Sequence, residues 1–386
     1  MKLLFVSSQA MFKDTLFGGA KRLYYLAKEL DSKVELHVIC LDGCEEIDDP
    51  DSYPAEFRRQ LFIPQERRLP AFQKIPFLSN VAKSLKDHRQ AIDAFLGNTR
   101  FDATFLAYPG SLAFLDADII PFPGKMVYSE DDLLVEQIRI RLQQASNPLS
   151  RFIQFFRNQQ AKGFYKRALK RVSKFVCITP QEEHLVQALW PDVDTKLLGY
   201  GIPLENYPLL ADPEQKNVLG FIGNYRHLPN LDAARWLVQE LFPFVVSRIP
   251  DARLVLCGSG FPEDIREACR GNESILVLDA VEDLSTFYNA ISVFVNPVRE
   301  GRGLRTKVVE SAAYGRPILS TTLGAEGLQD LELGLFEDGE GLVEGLLALS
   351  SPDSYARSIA RNRSAVERLF SMEEVGRQLM AIISPK

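Results

Sequence analysis

Lys307 and Glu310 stand three residues apart, directly behind a turn containing Gly301 and Gly303. The turn follows the apolar run Ile291-Ser292-Val293-Phe294-Val295 and leads into a stretch predicted as a helix over 304–314. A glycine-rich turn at a helix start offers unpaired backbone N–H groups and the positive end of the dipole to an anion. Leu304 and Thr306 lie within that turn, Lys307 adds a mobile cation, and Glu310, one turn deeper, can accept hydrogen bonds from hydroxyls. The set suits a molecule with both phosphate and sugar alcohols, as a nucleotide has. A surface ion pair could use the same two side chains. The glycines before them and the small Ser311, Ala312 and Ala313 behind favour a ligand.

Other turns could share the work. Gly18-Gly19 opens a predicted helix and permits close backbone approach by phosphate or sugar. Gly223-Asn224 ends an apolar run, with the cations Arg226 and His227 just beyond, and Gly258-Ser259-Gly260 ends another. Tyr128-Ser129-Glu130-Asp131-Asp132 places three acids at a helix start. Helix capping accounts for them, and so does a carboxylate that orients an acceptor hydroxyl or serves as base. No histidine or further acid has the spacing of a metal site, so no cofactor or metal is expected.

These turns need rigid supports. Short apolar runs alternate with amphipathic stretches throughout, the pattern of parallel sheets covered by helices. Strands are predicted at 2–7, 34–40, 102–107, 125–129, 174–179 and 196–200, with helices at 19–30, 78–96, 131–145, 151–171 and 181–189. A fresh series follows, with strands at 217–223, 252–257, 275–280, 291–296, 316–321 and 333–337. Its helices are at 230–247, 262–270, 283–289, 304–314 and 339–349. The segment holding Pro203, Pro208 and Pro213 reads as a linker. The expected organisation is an α/β chain with a first Rossmann-like domain over 1–203, a linker over 204–216 and a second over 217–350. Helices over 351–386 are expected to pack back on the first domain. Two such sheets face each other across a cleft, where ligands of doubly wound folds bind.

At 386 residues, two domains are the natural division. A net charge of −6 gives no general affinity for nucleic acid. The five cysteines are Cys40, Cys44, Cys177, Cys257 and Cys269. Their odd number and mostly apolar settings point to reduced, structural thiols and a cytoplasmic protein. The opening apolar run is short and reads as a first strand rather than a signal peptide, and no run is long enough to span a membrane.

The residues Glu310-Ser311-Ala312-Ala313-Tyr314-Gly315-Arg316-Pro317-Ile318 resemble the Glu-Ala-Met-Ala-x-Gly-x-Pro-Val signature of family 4-type glycosyltransferases, which have the GT-B fold. The likeness extends through Asn217–Asn230, Gly258–Gly260, Val281–Pro297 and Gly324–Leu328, and more weakly to Gly18-Gly19-Ala20. It implies that Glu310 binds the donor ribose, that Lys307 and the Gly303 turn hold the diphosphate, and that the Val281 backbone meets the base edge. It also implies transfer with retention and without a metal, from a UDP- or GDP-linked sugar to a glycan, lipid-linked or other hydroxyl acceptor held by the first domain. Two departures stand out. Arg302 occupies the place of the usual first glutamate, with Glu300 two residues earlier, so both are candidates to face the transferred sugar. The pattern is closer to an Arg-Gly-x-x-x-Lys-x-x-Glu subgroup. Around Gly223, Asn224 and Pro229 replace an Arg and a Lys that hold phosphates in many relatives.

Alternatives are a catalytically silent nucleotide-binding subunit and a nucleotide-sugar epimerase of the same fold. A dinucleotide oxidoreductase is disfavoured, since Ser7-Ser8-Gln9 stands where G-x-G-x-x-G belongs. The segment from Arg151 to Phe175 has eight Lys/Arg and no acid, interleaved with Phe152, Phe155, Phe156, Phe164 and Tyr165. Residues 57–89 repeat this more mildly. A basic aromatic helix suits either an anionic membrane surface, making the protein peripheral at the inner face, or a core-packed helix with solvated lysines.

Overall fold

Apolar runs bounded by polar turns form thirteen parallel strands among the described residues, in sheets of seven and six. The computed structural model describes residues 1–9, 11, 18–41, 56–63, 77–116, 119–120, 123–131, 133–301 and 304–384. The chain divides into two units, Met1–Gly201 with Met372–Lys386, and Ile202–Ser371.

The first unit's strands are β1 (Lys2–Ser7), β2 (Glu35–Leu41), β3 (Gln60–Ile63), β4 (Ala103–Ala107), β5 (Lys125–Ser129), β6 (Lys174–Cys177) and β7 (Thr195–Leu197). Their order is β3-β2-β1-β4-β5-β6-β7. Strands covered on both faces must be apolar at every position rather than alternating. Accordingly Leu4 and Val6 enter one core, with side chains from helices Arg89–Leu96 and Pro148–Ala168. Leu3 and Phe5 enter another, with Leu23, Leu26 and Leu30 of helix Gly18–Asp31 and Met372, Val375, Leu379 and Ile383 of helix Met372–Ile383.

The second unit holds β8 (Val218–Asn224), β9 (Arg253–Ser259), β10 (Ile275–Leu278), β11 (Val293–Asn296), β12 (Ile318–Ser320) and β13 (Gly334–Leu335), ordered β10-β9-β8-β11-β12-β13. Both sheets thus wind the same way, and the order reverses between β1 and β4 and between β8 and β11. Doubly wound sheets bind ligands at the carboxyl ends of the strands flanking such a reversal.

Several boundaries differ from the sequence reading for identifiable reasons. Residues 204–216, expected as a linker, are tied to the second unit. Leu210 N donates to Tyr314 O at 3.1 Å, and Ala211 O accepts from Arg316 Nη2 at 3.1 Å. Arg316 is 1% exposed and must place its donors on backbone carbonyls, here also Tyr288 O at 2.8 Å. Of the two tail helices, Pro352–Leu369 belongs to the second unit, where Tyr355 Oη donates to Ser292 O at 2.7 Å. Only Met372–Ile383 joins the first unit.

The predicted helix 78–96 breaks into Phe77–Asp87 and Arg89–Leu96 at His88, whose Nδ1 lies 2.9 Å from Ser84 O. The helix predicted over 230–247 contains a π turn, Leu237–Leu241, just before Pro243, which has no N–H to continue the ladder. Strand β3 was not foreseen, since its four residues follow Arg58 and Arg59 with no turn signal. Among the described residues no helix is long and apolar enough to cross a membrane. Cys177, Cys257 and Cys269 are buried free thiols, Cys40 is buried in β2, and Cys44 lies outside the described residues.

Candidate functional site

In the second unit, helix Thr306–Tyr314 follows β11, one side of the sheet's reversal, and carries its lysine to the end of β8, the other side. The Lys307 ammonium donates to Asn230 Oδ1 at 2.8 Å and stands 4.7 Å from the centre of the Phe221 ring. Gly223 makes the room, since a Cβ there would come within 3.2 Å of Lys307 Nζ and 3.1 Å of the Asn230 amide. Burial pushes the ammonium down to about 7, with Glu310 opposing and Arg305 reinforcing that fall. A cation held this way gains strongly from an anion brought beside it.

Asn230 is the hub. Its Nδ2 donates to Asn224 O at 3.0 Å, joining the turn after β8 to helix Leu228–Trp236 while its other amide atom holds Lys307. Asn224 Oδ1 accepts from Arg226 N at 3.0 Å, which tightens the turn. Arg226 is exposed, and its stem lies against Gly260, where a Cβ would come within 2.6 Å of Arg226 Cγ. Val281 is placed beyond the end of β10, where its backbone bonds the Cys257 thiol of β9.

Glu310, half-buried, accepts from Tyr207 Oη at 3.4 Å. Tyr207 is held by the ring of Tyr314 at 5.3 Å, and Tyr314 stacks on Tyr288 at 4.6 Å. Tyr288 Oη donates to Lys307 O at 3.2 Å. Gly315 closes the helix with φ of 76°, and a Cβ there would come within 2.4 Å of Leu209 Cδ1. The signature residues after Glu310 are therefore largely structural: they latch the incoming segment so that Tyr207 meets the carboxylate.

Leu304 and Thr306 are half-buried at the helix start, where Thr306 N donates to Leu304 O at 3.1 Å. Glu300 is exposed, its carbonyl accepting from Arg305 Nη2 at 3.3 Å. Arg302 and Gly303 lie outside the described residues. Asn296, fully buried, donates to Ser320 Oγ and Gly324 O, both at 3.0 Å, and so fixes the Gly324 loop at the ends of β11 and β12.

In the first unit, Gly18 opens helix Gly18–Asp31 and Gly19 is its point of closest approach. A Cβ on Gly19 would come within 1.8 Å of Tyr108 Oη and 3.2 Å of Asp131 Oδ2. Asp131 accepts from Arg22 Nη2 at 2.6 Å and from Tyr108 Oη at 3.0 Å. Arg22 is 3% exposed, and its Nη1 has no hydrogen-bond partner among the described residues. Tyr108 adopts φ of 65°, costly for a bulky side chain and held in place by bonds from its N to Ser129 O and from Ser111 to its carbonyl.

Glu130 and Asp131 take different paths. Glu130 is 3% exposed and turned into the core, where it accepts from Tyr128 Oη and Tyr165 Oη at 2.6 Å and from Leu134 N at 2.7 Å. Burial raises its carboxyl to about 7 against the pull of those donors. The geometry gives Glu130 the anchoring of helix Leu134–Gln144, and leaves Asp131 as the acid beside Gly19. Asp132 lies outside the described residues.

Sequence reasoning missed Asn230, Phe221, Tyr207, Arg22 and Tyr108. Two signals were present: Arg22 is a lone cation on the apolar face of Ala20, Leu23, Leu26 and Ala27, and Tyr108-Pro109-Gly110 is a turn closing a strand.

Residues 216–361 match a family model described as Glycosyl transferases group 1. A stretch of 118 residues is 29% identical to a protein of Klebsiella pneumoniae described as an uncharacterized 44.6 kDa protein in the cps region, and it spans 29% of this chain and 30% of that one. A sucrose-phosphate synthase from Thermosynechococcus elongatus superposes with a TM-score of 0.69 at 17% identity, over 99% of this chain and 98% of its own. HepE of Anabaena in complex with UDP-glucose superposes with a TM-score of 0.67 at 11% identity, over 99% of each chain. These likenesses show the fold to be that of GT-B glycosyltransferases, with two parallel Rossmann-like sheets.

Proposed function

We propose that this protein is a glycosyltransferase that moves a sugar from a nucleotide-linked donor to a hydroxyl of a glycan or lipid-linked acceptor. One observation carries the reading: the Lys307 ammonium reaches the end of β8 beside Gly223 while Glu310 stands one turn behind it, inside the segment that matches the group 1 family. In the transfer, the bond from the sugar's anomeric carbon to the diphosphate breaks and a bond to the acceptor oxygen forms. The acceptor proton leaves with a base. Negative charge grows on the departing diphosphate, where stabilisation counts most. Lys307 and the N-termini of helices Leu228–Trp236 and Thr306–Tyr314 supply positive potential from the chain itself, which supports a transfer without a metal.

Glu310 takes the ribose hydroxyls, the Val281 backbone the base edge, and Glu300 and Arg302 remain the candidates nearest the sugar. In the first unit we assign Asp131, fixed by Arg22 and Tyr108, to the acceptor. A UDP-linked donor is favoured because a structure of the same fold holds UDP-glucose. Retention of configuration follows the sequence resemblance alone.

The test is a thermal-shift comparison of UDP, GDP and NAD, followed by donor turnover with and without EDTA. Stabilisation by UDP or GDP but not NAD, with EDTA-resistant turnover, is the expected result. Stabilisation by NAD alone removes the reading. Nucleotide binding without hydrolysis or transfer reassigns the protein as a silent binding subunit.

A further inference from the structure

Helix Pro148–Ala168 is anchored by its C-terminal half, where Ala161, Phe164, Tyr165 and Ala168 are buried. Its N-terminal half leaves one face bare, while Ile153, Gln154 and Arg157 on the other are half-buried. Leu149 is 69% exposed, Phe152 65%, Phe155 51% and Phe156 52%, and the Phe152 and Phe156 rings stack on each other at 6.3 Å. At about 100° per residue the four share an arc of roughly 120°. Every strongly exposed phenylalanine among the described residues belongs to this arc. A contiguous apolar patch of this kind marks a docking surface rather than ordinary surface composition.

The charge on the same helix indicates the partner. Its cations are Arg151, Arg157, Lys162, Lys166 and Arg167, it holds no acid, and Lys170 and Arg171 continue the run in the following turn. Lys166 and Arg167 are exposed and lie further along the phenylalanine side of the helix. Elsewhere the surface arginines Arg139, Arg299 and Arg377 are paired with acids, whereas Arg151, Lys162, Lys166, Arg167 and Lys170 have no acidic partner among the described residues. The chain as a whole carries −6, so this helix runs against the average. A flat partner offering hydrocarbon beside closely spaced phosphates matches both halves. A second copy joined through this face would bring the same phenylalanines and the same cations, and so no charge complementary to Lys166 and Arg167.

We propose that this helix docks the protein on an anionic bilayer, with Leu149, Phe152, Phe155 and Phe156 entering the interfacial region and Lys166, Arg167 and Lys170 lying over lipid phosphates. The proposal goes beyond the assigned catalysis and does not depend on it, because none of these side chains takes part in nucleotide binding.

Co-sedimentation of the full chain with phosphatidylcholine vesicles, with and without phosphatidylglycerol, tests it. Wild type binds the phosphatidylglycerol vesicles, and raising the salt weakens binding. Combined Phe152→Gln, Phe155→Gln and Phe156→Gln lowers the partition by about a hundredfold or more. Lys166→Gln with Arg167→Gln lowers it about thirtyfold. Both variants keep the wild-type circular dichroism, melting temperature and UDP affinity, since the replaced side chains are exposed. Absence of wild-type binding, or undiminished binding by the triple variant, overturns the proposal. So does a lipid-free dimer in sedimentation velocity that the triple variant abolishes, which assigns the face to a second copy.

Discussion

Under the proposed function, the partial burial of Lys307 makes nucleotide binding a proton-linked event. Burial outweighs the pull of Glu310 and pushes the ammonium down to about 7 from its ordinary 10.5 when no ligand is beside it. A diphosphate placed against it favours the charged form, so the bound-state pKa is the higher of the two and binding takes up a proton. The affinity is therefore retained below pH 7 and lost as pH rises through that value. At pH 7 about half the molecules carry the ammonium, and at pH 9 about one in a hundred. UDP affinity should accordingly fall about fiftyfold between pH 7 and 9, equivalent to about 2 kcal/mol. The range lies above the phosphate's own titration, so the change belongs to the protein. Calorimetry in buffers of different ionisation enthalpy gives the uptake directly: about half a proton at pH 7 and close to one at pH 8. Lys307→Met should abolish both the uptake and the pH dependence. A wild-type affinity flat from pH 7 to 9, with no proton uptake, refutes the placement of this ammonium against the phosphates.

Three further outcomes follow. Because the unfolded chain holds the Lys307 proton up to about 10.5 while the folded one releases it near 7, stability should rise with pH across that window. Lys307→Met should melt higher than wild type at pH 7, with the gap closing toward pH 10, and a variant less stable at pH 7 contradicts this. Glu310→Ala should weaken UDP binding by about tenfold to a hundredfold through loss of charge-assisted hydrogen bonds, read by calorimetry, with far-ultraviolet circular dichroism unchanged; wild-type affinity removes Glu310 from the site. Glu130→Ala should cost about 2–4 kcal/mol in denaturant unfolding, because it strands the Tyr128 and Tyr165 hydroxyls, while leaving UDP affinity alone. Unchanged stability would deny the anchoring role.

Parallel strands and the helices between them were legible because each satisfies a local rule. The runs Leu3–Val6, Phe105–Ala107 and Val293–Val295 are apolar and buried at every position, as a doubly covered strand requires. Lys307 and Glu310 were legible because their turn and spacing are contiguous in the chain. What escaped depends on distance along it. Asn230 meets Lys307 across 77 residues, and Tyr207 meets Glu310 across 103, so neither has a local signature. The prolines of 204–216 obey the rules for a linker, and only the buried donors of Arg316 show why the segment is fastened down. Glu130 and Asp131 look alike as neighbours. One turns toward Tyr165 and the other toward Arg22, a choice made by residues 35 and 109 positions away.

The helix Met372–Ile383 has a consequence for how the chain is made. One face of the first sheet is finished only by side chains that emerge from the ribosome after all of Ile202–Ser371. At typical elongation rates that delay is on the order of ten seconds or more. Through it, Leu23, Leu26 and Leu30 on the first helix lack their final cover, a sticky surface of the kind chaperones recognise. A nascent chain stalled before residue 372 should be held by such a factor, and one stalled beyond residue 384 and clear of the exit tunnel should be released.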